Sequence, residues 1–501
     1  MNVRLIPDEQ WATLEAAPGV STILWREGAP VALPSRSSRC AVLSACPSSG
    51  GSVKGSTSPL AASRSQMRSR IALALLFAWF LLSSERAALA AEDAAATALR
   101  EGETVDFAQV NRLQPYLPPE LWPHRDFIFY EGMRLEVGPA FRDYSPPPVY
   151  QDATAKHRGQ ARIGPDESLE DYTAGQPFPM DEIDCKGDPS AGIKVAWNFD
   201  YRWQGTGQGG HALYSYWDRG EELPLYYEGT AKQVWLAHRP EPAYADKGGD
   251  LFRGELRKLA YGVEVLAPFD AKGIALINYR YKSSDGPQSG ARNDDTWVYV
   301  PTLRRVRRIS TAQRTDAVSG TDFTFDDFSG FFGIPTQYNW QCLGRMDVLA
   351  TVNSKVKAYP YTRDHSFGPY GLSFADDRWE MRHAIKIQFV PKNPDHPYKK
   401  KVLYIDANTA EMLYSFAYDH KDELWKVIYH NKVWSGDSHD FYEQWEGVPE
   451  PLDDISVADV VINVQTGTGN RIEFWDSSGS PIGSEGKIRR YIDAGRLTKG
   501  R

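Results

Sequence analysis

The densest group of residues able to do chemistry lies between Asp294 and Gly333, DDTWVYVPTLRRVRRISTAQRTDAVSGTDFTFDDFSGFFG. Asp326 and Asp327 are of the type needed for a paired general acid and base, because two close carboxylates can split their pKa values. Adjacent residues on an extended segment point to opposite faces, however, which argues against one shared site. Arg304, Arg305, Arg307 and Arg308 lie just upstream, and Asp316, Asp322, Asp326 and Asp327 are their expected salt-bridge partners. The same guanidinium cluster suits bidentate contact with a phosphate or carboxylate headgroup. No G-x-S-x-G, H-E-x-x-H, C-x-x-C or G-x-x-x-x-G-K-[ST] occurs, so the common hydrolase, zinc, redox and nucleotide signatures are missing. The ten histidines are scattered, and surface or strand-edge positions are expected for them in preference to metal ligation. Cys185 and Cys342 could form one disulfide or remain two buried thiols; their spacing does not decide.

The elements around this stretch read as strands. Thr296, Val298 and Val300 alternate with Trp297 and Tyr299, Pro301-Thr-Leu303 makes the turn, and the four arginines return on a second arm. A second arm so rich in cations cannot be buried on both faces without partners. Residues 193–203 show the cleanest two-residue period in the chain and are expected to form a long half-buried strand, with Val195, Trp197, Phe199, Tyr201 and Trp203 on its aromatic face. Further strands are expected at 212–217, 223–227, 233–238, 261–266 and 274–281, and a second meander at 384–390, 401–406, 412–418 and 424–433. Asn393-Pro-Asp395 and Asp406-Ala-Asn408 supply turns in the second. Short helices are expected near 105–113, 167–172 and 488–497. Strands do not alternate with long amphipathic helices, so a doubly wound α/β fold is not expected.

Several of these runs resemble a proteobacterial family of unknown function that is described as similar to the outer-membrane lipoprotein-sorting proteins LolA and LolB. The residues are Trp297-x-Tyr299-x-Pro301, Arg304-Arg305-Val306-Arg307-Arg308, Gly320-Thr-Asp322, Asp326-Asp327-Phe328 and Gly333-x-Pro335-x-x-Tyr338-x-Trp340, continuing through Arg378-Trp-Glu380, Lys401 to Asp406 and Glu423 to Val427. The resemblance begins near Leu99 and implies a mainly β fold: a large antiparallel curved sheet forming an incomplete, half-open β-barrel, with short helices and lid loops over a hydrophobic groove.

Composition agrees with a large globular chain. The 501 residues are 42% hydrophobic and 12% aromatic, which suits β structure and an extensive apolar interior. The net charge is −8, and residues 1–90 hold nine Lys plus Arg against five Asp plus Glu, so the part downstream is more acidic still. An acidic body argues against a nucleic-acid partner. Met67-Arg-Ser-Arg70, the apolar run 71–82 and Ala88-Leu-Ala90 make up a complete secretory signal with cleavage expected after Ala90. That run is shorter than the roughly 20 residues needed to span a bilayer. Residues 1–66 are expected to be a disordered gene-model extension, 67–90 the leader, 91–192 a helical and Pro-rich segment packing on the sheet, and 193–501 the half-barrel, continuous with 91–192. Leu43-Ser-Ala-Cys46 spells a lipoprotein box without an apolar run before it, so a soluble periplasmic protein is expected.

The function expected from residues and resemblance together is that of a non-catalytic, cofactor-free and metal-free periplasmic carrier of a lipid, lipoprotein or other apolar cargo. Its partners would be an inner-membrane transporter and an outer-membrane acceptor. Val195, Trp197, Phe199, Tyr201, Trp203, Met412, Tyr414, Phe416 and Tyr418 are expected to line the groove. Leu303, Arg304, Arg305, Arg307, Arg308, Asp322, Asp326 and Asp327 are expected at its rim. The rival reading is an envelope adaptor with a packed interior; a periplasmic hydrolase is less favoured still, since it would need convergent polar groups in the cavity.

Overall fold

The computed structural model describes residues 98–205, 207–217, 225–282, 292–309, 314–355, 367–437, 454–478 and 485–497; the expected leader and the stretch before it lie outside these. From Leu99 onward the described residues belong to one unit. Its N-terminal part is built of short pieces. β1 (Thr104–Asp106) and β2 (Arg134–Val137) pair antiparallel, with 3-10 turns at Phe107–Tyr116 and Trp122–Phe127 between them. Asp106 caps the first turn by accepting from the Gln109 amide at 3.1 Å. α1 (Pro148–Lys156) follows the proline run, then β3 (Arg162–Ile163) and β4 (Leu169–Glu170) form a two-stranded ribbon where the sequence suggested a helix.

The long expected strand at 193–203 is α2 (Ala191–Asp200), a helix. Its alternation does not separate a wet face from a dry one. The polar members are individually engaged: Lys194 pairs with Asp188 at 2.7 Å, Asn198 is fully buried and exchanges two hydrogen bonds with the backbone of Phe178, and Asp200 binds Lys258 at 2.5 Å. A helix buried nearly all round carries apolar residues on every side, so a period of two fits it by accident. Gly192 permits the depth of burial: a Cβ there would lie 2.7 Å from the amide nitrogen of Gln341.

Two antiparallel meanders make up the rest. The first contains β5 (Gly207–Trp217), β6 (Leu225–Trp235), β7 (Arg257–Ala267), β8 (Ala275–Tyr281), β9 (Asp295–Val300) and β10 (Arg305–Ile309). The second contains β11 (Tyr338–Ala350), β12 (Arg378–Pro391), β13 (Lys400–Asp406), β14 (Met412–Tyr418), β15 (Leu424–Trp434), β16 (Asp454–Asn463) and β17 (Thr468–Ser478). Pairing of β17 with β5 joins the meanders into one sheet of 15 strands, antiparallel except where β2 meets β12. The expected architecture, mainly β with one large sheet and short helices, is the observed one.

Successive residues of the second meander feed opposite cores, as a strand's period of two requires. On one face Tyr404, Tyr414, Phe416, Tyr429 and Val460 pack under the N-terminal segment and residues 367–379. On the other Leu403, Ile405, Met412, Ile428 and Val461 pack against α2 and the 323–331 segment. A third core joins β6–β8 to α3 (Glu485–Tyr491) through Val234, Ala260, Ile277, Ile488 and Ile492. Cys185 and Cys342 are joined in a disulfide, with Cα atoms 5.0 Å apart, tying the loop before α2 to β11. Such a bond belongs in an oxidising compartment such as the periplasm.

Candidate functional site

β9 and β10 form the expected hairpin in simple register, Val300 opposite Arg305 and Thr296 opposite Ile309. The acids downstream do not close it. Arg308 instead pairs with Asp295 on β9, its near neighbour across the ladder. Arg304 sits in the turn with φ +49° and Arg305 opens β10, both exposed, while Arg307 is half-buried. Leu303, expected at the rim of the groove, is half-buried as well.

The expected pairing fails because Asp322, Asp326 and Asp327 are drawn under the sheet, where a carboxylate must find buried partners. Residues 325–330 form a 3-10 turn opened by a capping box, in which Thr324 and Asp327 exchange hydrogen bonds. The two adjacent carboxylates then face different bases. Asp326 accepts from Arg314 at 2.9 Å and Tyr338 at 3.0 Å, with His396 at 3.8 Å. Asp327, 1% exposed, accepts from Lys401 at 2.8 Å, Lys426 at 3.1 Å and the Tyr398 hydroxyl at 2.8 Å. Burial pushes both carboxyls up, but the surrounding cations outweigh it and hold both well below the usual carboxylate range. Asp322 is held by Asn463 at 2.6 Å and Thr468 at 2.5 Å.

This ionic layer is continuous. Arg314 also pairs with Asp294, which binds Arg280 at 3.1 Å; Arg280 lies 3.8 Å from Asp200 at the end of α2. Arg280 and Arg314 both donate to the Phe332 carbonyl, and Lys401 donates to that of Gly330 at 2.9 Å. The segment 314–332 is thus stapled to β8, β13 and β15. The carboxylates of Asp294, Asp326 and Asp327 are buried and engaged by cations, which gives them a structural task. Arg314, Lys401 and Lys426 were not singled out from the sequence. A signal existed for the lysines: each interrupts an apolar strand at an inward position, where a cation needs a buried acid.

A second buried cluster lies beside α2. Glu411 is ion-paired with Arg202 and Lys432, both at 2.7 Å, and His430 Nδ1 lies 3.6 Å from Asp459. Asp459 Oδ1 has no hydrogen-bond partner among the described residues. Burial raises its carboxyl to about 7, with Lys432 opposing and Glu411 adding to the rise. The folded protein therefore holds a proton that the unfolded chain releases above its ordinary value of about 3.9, and Asp459's contribution to stability falls as pH rises from about 4 to about 7. Asp459→Asn is expected to stabilise the protein by at most about 4 kcal/mol near pH 8 and by much less near pH 5. Urea midpoints at the two pH values check this; an equal difference at both removes Asp459 as the titrating group.

The residues expected to line one groove are divided. Val195, Trp197, Phe199 and Tyr201 are buried on α2 and at its end, in the same core as Met412. Tyr414 and Phe416 are buried on the opposite face of the sheet, with Tyr418 half-buried beside them. Trp203 is half-buried against Tyr150, ring centroids 5.6 Å apart. A different apolar surface is open. On one face of β5–β8, Tyr216, Leu225, Tyr227, Val263, Val265 and Leu276 are all half-buried, whereas Glu228, Lys232 and Glu264 on the other face are exposed. Paired residues share a face, so the ladder Ala231–Val263–Leu276–Val298–Arg307 runs this apolar row into the arginine strand. The adjoining β7–β8 turn projects Phe269, 94% exposed, beside Leu266 at 38%.

The arginine hairpin and the acids after it fall inside the match of residues 124–488 to the family described as protein of unknown function DUF1329. The chain belongs to the DUF1329 family. It is similar to a DUF1329 protein of Desulfovibrio piger, at 18% identity over 62% of this chain and 99% of that one, TM-score 0.41. It is also similar to a putative outer-membrane lipoprotein-sorting domain of Vibrio parahaemolyticus, at 16% identity over 62% of this chain and all of that one, TM-score 0.40. An uncharacterized protein of Pseudomonas aeruginosa is 27% identical over 135 residues, which are 26% of this chain and 30% of the relative. That match spans less than a third of the relative's length. The residues of the buried ionic layer, from Asp294 to Lys426, lie within the matched range.

Proposed function

We propose that the protein is a non-catalytic periplasmic carrier or chaperone for a lipid, lipoprotein or other apolar cargo, moving it from an inner-membrane exporter toward an outer-membrane acceptor. The observation that carries this reading is the half-buried apolar row on β5–β8, which passes through Val298 to Arg307 and lies beside Arg305. An acyl chain laid along the row gains about 0.8 kcal/mol for each buried methylene. An anionic headgroup at its end meets guanidinium groups that suit phosphate or carboxylate. The turns at 268–274 and 301–304 lie at the same end of the sheet, because Ala275 faces Tyr299 and Val300 faces Arg305. In this reading Phe269 reaches the apolar donor and Leu303 supports the neighbouring turn.

Phe269→Glu is expected to leave the melting temperature unchanged, since a side chain 94% exposed adds little to the core, and to slow liposome-to-protein transfer of a fluorescent fatty acid. Loss of one inserted aromatic corresponds to about tenfold or more. Arg305→Gln and high salt should both weaken binding of an anionic amphiphile. Transfer at the wild-type rate by Phe269→Glu, together with no co-purified lipid in native mass spectra of periplasmic protein, would leave the adaptor reading in place.

A further inference from the structure

We propose that the outer edge of β10 takes an added strand: an extended acidic segment of another protein, with carboxylates at alternate positions. β10 ends the sheet, and among the described residues it pairs with β9 alone. Which of its backbone groups face outward follows from the ladder. In antiparallel pairing one residue turns its N–H and C=O to one neighbouring strand and the next residue turns them to the other. Val265 donates to the Ile274 carbonyl at 2.8 Å and accepts from the Gly273 amide, so Val265 and Val263 turn toward β8. Val263 faces Leu276, which leaves Ala275 turned toward β9; Ala275 faces Tyr299, which leaves Val298 and Val300 turned toward β10. Their partners Arg307 and Arg305 are thereby used, and Val306 and Arg308 present N–H and C=O to the outside. These backbone groups are the template that a further strand needs.

Charge selects the occupant. Residues 295–309 hold four arginines against one acid, Asp295, in a chain whose net charge is −8. Asp295 answers Arg308 across the ladder. Arg305 is exposed, and Arg307, two residues on, shares its face of the sheet. On a strand laid against β10, carboxylates two residues apart fall opposite this pair, and opposite charges on facing residues strengthen the pairing. The same cations disfavour the β10 of a second copy, since arginine would stand against arginine. An anionic lipid surface would meet the charges but leave the outward backbone groups unanswered, so the edge fits a peptide better. β11, which among the described residues pairs with β12 alone, balances Arg345 with Asp347 and selects neither sign.

The outward backbone groups of β10 play no part in the carrier reading, so this inference stands without it. The test is fluorescence polarisation of a dye-labelled, end-blocked peptide of about nine alternating glutamates and valines, titrated with the full chain. The peptide should bind saturably, and at least about tenfold more tightly than versions with glutamine for glutamate or with proline for two of the valines. Val306→Pro removes an outward N–H and no bond to β9, the place where an edge strand accepts proline. It should weaken the peptide about tenfold while an anionic amphiphile binds as before. Should that variant lower the melting temperature, the proline-containing peptide decides alone. Equal affinity of the proline-containing peptide overturns the proposal, as does a dimer in sedimentation that the peptide does not disperse, which would give the edge to a second copy. So does the lack of saturable peptide binding up to about 1 mM, and binding of phosphatidylglycerol vesicles in its stead would then give the arginines to a lipid surface.

Discussion

Asp327→Ala is expected to destabilise the protein by about 3–5 kcal/mol, because it strands Lys401 and Lys426 as buried cations without their carboxylate. A shift of the urea midpoint at neutral pH measures the loss. Adding Lys401→Met to Asp327→Ala should recover part of it, since a buried charge replaced by an apolar chain of similar volume removes the desolvation cost. A single variant losing under about 1 kcal/mol would mean that water enters the layer and that Asp327 has another task. The same groups set the wild type's response to acid. Asp294, Asp326 and Asp327 lie below the carboxylate range, so their stabilisation is complete above the unfolded value of about 3.9 and is lost as pH falls through their folded values. Asp459 runs the other way, which is why Asp459→Asn and Asp327→Ala should differ in sign near pH 8.

Loss of the Cys185–Cys342 disulfide is the second large effect. It closes a loop of 157 residues in sequence separation, and removal is expected to cost about 2–5 kcal/mol, chiefly through the freedom regained by the unfolded chain. Cys185→Ala with Cys342→Ala should therefore lower the urea midpoint, and the wild type treated with dithiothreitol should match the double variant. Equal midpoints with and without reductant would show that the bond restrains nothing the sheet does not already hold. The restraint falls at a sensitive place, because α2 follows Cys185 closely and packs through Gly192 directly on β11, the strand that carries Cys342.

Most of the strand order could be read along the chain. The β9–β10 hairpin, the run from β12 to β15 and the turns between them follow from alternation and turn chemistry, both local properties. The family, too, was legible: the contiguous arginine and aspartate runs that carried the resemblance lie within the matched residues 124–488. Three features were settled only by tertiary structure. The segment 193–203 alternates like a strand yet is largely helical, since buried partners for Lys194, Asn198 and Asp200 replace the solvent that alternation normally implies. β17 and β5 join the meanders although they are remote in sequence, and local pattern does not encode such pairing. Choice of ion pairs was the third. Proximity along the chain assigned Asp326 and Asp327 to the arginines of β10, but Asp327 is bound by lysines 74 and 99 residues away. A carboxylate driven into a low-dielectric interior takes the cations buried with it, whereas the hairpin arginines remain near water, where a salt bridge is worth little.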